Sequence, residues 1–127
     1  MFRYLLCIIL SLFVQIAFTE TEENLGKKTY ELSCQNCHKP QLAKAIKAPA
    51  AFDKQAWQLR FQQAKKESEK DPTRFPSAMD YLLYSVTIGK GLMQHGGLCN
   101  EADVENKDCS KEALTAAIEY MSGPTHD

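Results

Sequence analysis

Cys34-Gln35-Asn36-Cys37-His38 puts two thiols and an imidazole within five residues, and no other stretch constrains the chain as strongly. The spacing is that of a covalent attachment site for c-type haem. Two thiols that add across two vinyl groups on one porphyrin edge must stand a short, fixed distance apart. Two intervening residues in a helix-like turn supply that distance. The next residue then brings a neutral imidazole nitrogen, a good iron ligand, to the metal. Three other chemistries use the same residue types. A thioredoxin-like redox pair calls for a βαβ setting, and the Lys- and Ala-rich stretch after the motif has no strand pattern. Half of a zinc site calls for two more ligands at matching spacing, and Cys99-x9-Cys109 is not a usual second knuckle. A structural disulfide is the third.

Residues 1–19 read as an export signal. Arg3 provides the positive start, and Tyr4 to Phe18 is apolar apart from Ser11 and Gln15. That run is shorter than the roughly 20 residues of a spanning helix. Acidic and polar residues begin at Glu20. Cleavage after Ala17 or Thr19 fits, and an uncleaved N-terminal anchor is the alternative. Export to the periplasm agrees with covalent haem, which bacteria attach outside the cytoplasmic membrane, and it permits a disulfide. Residues 20–127 then form one domain with one core, much of it supplied by any buried haem. Cys34 and Cys37 go to haem in this reading, and Cys99 and Cys109 remain for one bridge.

The expected fold is all-α. A first helix begins near Asn24, carries Leu25, Tyr30 and Leu32, runs into the Cys motif and stops at Pro40. Residues 39–51 read as a loop. Phe52, Ala56, Trp57, Leu59, Phe61 and Ala64 recur at helical spacing to about Lys70. Residues 65–77, closed by Pro72 and Pro76, read as an exposed excursion. A third helix covers 78–88 through Met79, Leu82, Leu83 and Val86, and Gly89-Lys90-Gly91 ends it. Residues 91–108 read as a loop. Ser110 caps a last helix with a stripe of Ala113, Leu114, Ala117, Ile118 and Met121, stopped by Gly123-Pro124.

An electron carrier closes the iron's second axial position with a thioether or a second imidazole, which keeps coordination constant between oxidation states. Met121 and Met79 fall on helix stripes and read as core. Met93 lies in Gly91-Leu92-Met93-Gln94-His95-Gly96-Gly97, a loop with flexible backbone on both sides. It is the expected ligand, with His95 as its rival. His126 reads as a solvated tail residue.

The motif, Ala48-Pro49, Asp53-Lys54-Gln55-Ala56-Trp57, Ile88 to Met93, Gly96-Gly97 and Ser110 to Met121 together resemble the small monohaem class I cytochromes c, specifically the cytochrome c-five-like group. These stretches occur in the family's order and cover most of residues 25–121. The resemblance implies helices wrapped around one haem c, thioether bonds at Cys34 and Cys37, and His38 and Met93 as axial ligands. It also implies a Pro49 carbonyl against the other nitrogen of His38, orienting the ring. Trp57 would pack beside the haem propionates and give them its indole hydrogen, or else simply fill core. The chain departs from the family pattern in the glycine-poor loop after His38, in residues 65–77, in Gln94-His95 and in the wide spacing of Cys99 and Cys109.

Charge is unevenly placed. Bases outnumber acids two to one from Lys27 to Lys90, and acids dominate from Cys99 onward. The asymmetry forms either a dipole that orients docking or two ordinary solvated faces. No nucleic-acid motif is present. The expected function is a periplasmic one-electron carrier, monomeric or weakly dimeric, with no substrate turnover. It would take electrons from a membrane or periplasmic donor and pass them to a terminal oxidase or reductase. The alternative is a haem c subunit or small sulfur-oxidising or peroxidatic enzyme with an open or labile sixth iron position.

Overall fold

The computed structural model describes residues 24–93 and 108–123. The expected export signal and His95, Gly96-Gly97, Cys99 and His126 lie outside the described residues, and so does any bridge from Cys99 to Cys109. Among the described residues the fold is all-α, with no strand and no helix long and apolar enough to cross a membrane. Residues 24–33 are helical (α1). They are succeeded by α2 (Gln35–His38), α3 (Pro40–Ile46), α4 (Lys54–Ser68), α5 (Ala78–Ile88) and α6 (Lys111–Ser122).

The expected single helix into the Cys motif is two pieces. Cys34 departs from helical geometry at φ −125° and ψ −32°, and the chain turns there into the four residues of α2. The expected loop over 39–51 is also corrected, because α3 occupies Pro40–Ile46. Pro40 ends the helical stretch of the motif, as expected, and also starts this helix. A proline forces its predecessor into an extended conformation, and Lys39 has φ −64° and ψ 144°. The same ring is pre-organised for the first helical position. Lys47 ends α3 in the left-handed region, at φ 57°.

Asp53 caps α4 by accepting from the Ala56 amide at 3.0 Å. The helix buries Trp57, Ala64 and Ser68 and packs most extensively on α5. The expected excursion over 65–77 is therefore shorter, since α4 continues through Ser68. The segment between α4 and α5 is tied back to the fold: Phe75 meets Tyr81 edge-on at 5.3 Å and lies tilted against Tyr84 at 5.1 Å. The Arg74 guanidinium lies over the Phe75 and Tyr84 rings. Ser77 caps α5, and its hydroxyl also bonds the Asp80 carboxylate at 2.6 Å. Lys111 reaches the same carboxylate at 3.1 Å and links α6 to α5. Ser110 caps α6, whose buried stripe is the expected Ala113, Leu114, Ala117, Ile118 and Met121.

Helix α1 buries Gly26, Thr29, Tyr30 and Ser33 and leaves Leu25 and Leu32 half-buried. Small residues on this face bring α6 close. A Cβ on Gly26 would overlap the Ala116 carbonyl oxygen and come within 3.1 Å of Tyr120 Cβ. One turn on, the Tyr30 and Tyr120 rings pack at 5.6 Å, and Phe52 meets both edge-on. Phe52 takes the left-handed conformation, φ 68°. That costs about 1–3 kcal/mol for a residue of this size. Its amide bond to the Met121 carbonyl (2.7 Å) and the two ring contacts hold it there.

Gly26→Ala sets two effects against each other. Helix propensity favours alanine by about 1 kcal/mol. The overlap is with backbone, which cannot move unless the helices part, and overpacking of this kind costs about 1–3 kcal/mol. We expect a net loss of stability in denaturant unfolding, and an unchanged or raised midpoint would refute the crossing.

The Ser77 hydroxyl, and then Lys111, hold the Asp80 carboxyl below its ordinary range. Its stabilisation is therefore present above the unfolded value near ~3.9 and is lost as pH falls through the lower folded value. The group is partly exposed, so the effect is below about 1 kcal/mol. Asp80→Asn should flatten the acid limb of stability below about pH 4. Superimposable acid profiles of the two proteins would contradict this.

Candidate functional site

The short helices α2 and α3, the turn after them and the facing sides of α4, α5 and α6 enclose one apolar-walled cavity of about 380 Å³. That lies within the roughly 300–1,000 Å³ of sites for small molecules and cofactors. Cys34, Cys37 and His38 line it, and so do Pro49, Trp57 and Met93. Every described residue that the sequence singles out for a haem site is on its wall.

His38 is 7% exposed. Its Nδ1 lies 2.8 Å from the Pro49 carbonyl oxygen. A carbonyl only accepts, so Nδ1 carries the proton and Nε2 keeps its lone pair. Burial pushes the imidazole pKa down, partly offset by the Pro49 bond, and the Arg60 charge pushes it further down. The ring is therefore neutral at neutral pH, with one nitrogen ready to coordinate.

The turn that presents Pro49 is held at several points. Ala48 donates to the Ala43 carbonyl at 2.9 Å, Ala51 to the His38 carbonyl at 2.7 Å, and Phe52 to Met121. Trp57 Nε1 donates to the Ala50 carbonyl at 2.9 Å. Trp57 is buried, and in this structure its indole hydrogen goes to backbone. The Trp57 ring stacks on the His38 ring, 5.9 Å between centroids at 26°. Trp57 thus acts on the site by fixing both the turn and the imidazole.

The two cysteines differ. Cys34 is buried, its sulfur 3.9 Å from the Thr29 carbonyl, and Cys37 is exposed. Among the described residues they are not joined in a disulfide, nor do three or more His, Cys, Asp or Glu converge as a metal-binding group. Met93 is half-buried at the end of the turn after α5, its amide 3.2 Å from the Lys90 carbonyl. Met121, read as core, is 2% exposed and also borders the cavity. Met79 packs on the core and is not on the cavity wall.

Residues the motif reading passed over complete the wall: Leu82, Ser85 and Val86 from α5, Ile118 from α6, and the bases Lys47, Arg60 and Lys90. Helical spacing could have found Arg60, one turn beyond Trp57 on α4. Nothing in the sequence marks Lys47, whose position comes from its left-handed backbone.

The residues fit a covalently held haem. The chain offers a neutral, carbonyl-anchored imidazole, two thiols and a thioether around one apolar space. Comparison of the chain with protein-family models, with curated proteins and with solved structures found no match in any of the three.

Trp57→Phe keeps the ring stack and removes the N–H. The Ala50 carbonyl still accepts from the Asp53 amide at 3.1 Å, so no buried acceptor is orphaned. The loss should be about 1 kcal/mol, against about 3–5 kcal/mol for Trp57→Ala. Urea unfolding of the two variants measures the difference, and equal losses would show that the indole bond has no separate weight.

Proposed function

We propose that this chain is an exported one-electron carrier built around one covalent haem c. The observation that carries this reading is the 2.8 Å contact of His38 Nδ1 with the Pro49 carbonyl. It leaves Nε2 as a lone-pair donor on a cavity wall shared with Cys34, Cys37 and Met93. A histidine whose other nitrogen is tied to a backbone carbonyl is the usual arrangement of a metal-ligating imidazole.

When bound, haem supplies a one-electron iron(III)/iron(II) couple. The rest is done by the chain. Cys34 and Cys37 would hold the haem through thioether bonds, each made by addition of S–H across a vinyl group with no net oxidation. His38 would bind the iron through Nε2, and the Pro49 carbonyl keeps its ring from rotating. Met93 would add a thioether ligand, which favours iron(II) and excludes small ligands. Leu82, Val86 and Ile118 keep water away, which limits solvent reorganisation as the charge changes. The electrons come from a membrane or periplasmic donor and leave to an oxidase or reductase. The signal over residues 1–19 delivers the chain to the periplasm, where attachment is completed.

Protein exported and purified with haem should stay coloured on a denaturing gel stained for haem peroxidase activity. Loss of all colour on acid-acetone extraction would sink the covalent site. Cys34→Ala should weaken attachment. Met93→Ala should keep haem attached but bind carbon monoxide, while His95→Ala stays closed. The reverse pattern would transfer the ligand role to His95.

A further inference from the structure

The cavity that holds His38 is bordered by Lys47, Arg60 and Lys90 and by no Asp or Glu among the described residues. All three bases are exposed, so they stand at its mouth while the interior is apolar. Lys90 is partly engaged, its ammonium 3.2 Å from the Tyr81 hydroxyl and over the Tyr81 ring. Lys47 and Arg60 take part in no ion pair among the described residues, where Lys27, Lys70 and Lys111 do. Both are placed by structure rather than by chance. Lys47 is the left-handed cap of α3, immediately before the Ala48–Ala51 turn. Arg60 lies one turn beyond Trp57, whose buried ring fixes that face of α4.

An apolar space with cations at its lip and no anion selects an amphiphile with an apolar body and acidic groups at one edge. Trp57 offers those groups nothing, because its indole hydrogen goes to Ala50. We propose that Arg60 and Lys47 form a carboxylate clamp at the cavity mouth, binding the propionate groups of the haem. The inference rests on the proposed haem site and assigns the residues that would orient the porphyrin within the cavity. Arg60 offers the planar two-pronged donor suited to a carboxylate, and Lys47 offers a point charge.

Two measurements test the clamp. In the covalent holoprotein, Arg60→Gln and Lys47→Gln should each lower the midpoint potential, because an uncompensated carboxylate favours iron(III). Lys54→Gln, which removes a base away from the cavity, should not. Equal potentials in all three variants would overturn the clamp. In the full chain carrying Cys34→Ala and Cys37→Ala, iron protoporphyrin IX should bind more tightly than its dimethyl ester. The ratio should be roughly 3- to 30-fold, as expected for two partly exposed ion pairs. Adding Arg60→Gln and Lys47→Gln should abolish that ratio. Equal binding of acid and ester overturns the clamp and leaves the haem reading standing. A colourless preparation of the exported wild-type chain together with binding of neither porphyrin overturns both.

Discussion

The contact between His38 Nδ1 and the Pro49 carbonyl is the constraint on which the site depends. It joins two segments that have no helix in common, and it does so at the one residue whose orientation matters most. The Ala48–Ala51 turn that presents the carbonyl could not hold it by its own stiffness. It is pinned by Ala43 on one side, His38 beneath, Trp57 across and Met121 beyond. Each bond is worth on the order of 1 kcal/mol. Together they make the imidazole's direction a property of the fold, through a set of contacts that any rotation of the ring would break. The left-handed Phe52 belongs to the same device, since its backbone strain lets the chain leave the turn and cap α4 one residue later.

Much of this was legible in the residues. Ser110, the stripe ending at Met121 and the Gly123 stop predict α6 as it stands, because a capped amphipathic helix depends on local chemistry alone. The Cys34, Cys37, His38 cluster was legible as a pattern, and Met93 from its loop and Pro49 from the family resemblance line the same cavity. Other features were not. Pro40 carries two meanings, stop and start, and it has both here: the extended Lys39 before it ends α2 and leads into α3, and only the stop is legible in the sequence. Hydropathy does not mark Gly26, where α6 comes so close that a Cβ would overlap its backbone. Arg60 and Lys47 resemble any surface base until the cavity mouth is built beside them.

Trp57 shows how a residue can serve a site through its neighbours. It stacks on His38 and lines the cavity wall. Its single donor is committed to Ala50, so its contribution is rigidity. Rigidity of this kind matters for any group that must keep one coordination geometry in two charge states, since motion of a ligand on charge transfer adds to the barrier. The same logic applies to the apolar wall from α5 and α6, which cannot reorient dipoles in response to charge.

The close crossing at Gly26 has a consequence for the order in which the molecule is made. It joins the first described helix to the last, so the contact spans most of the described residues. Contacts of such sequence separation form late, because the chain must lose the entropy of the intervening loop before the contact returns anything. A polypeptide emerging from its N-terminus presents the Cys34–His38 segment long before α6 exists to cover it. For that interval the thiols stand on an open chain, accessible to chemistry that the finished crossing would hinder. Closure of the two ends is then the step that buries Cys34 and His38 while Cys37 stays at the surface.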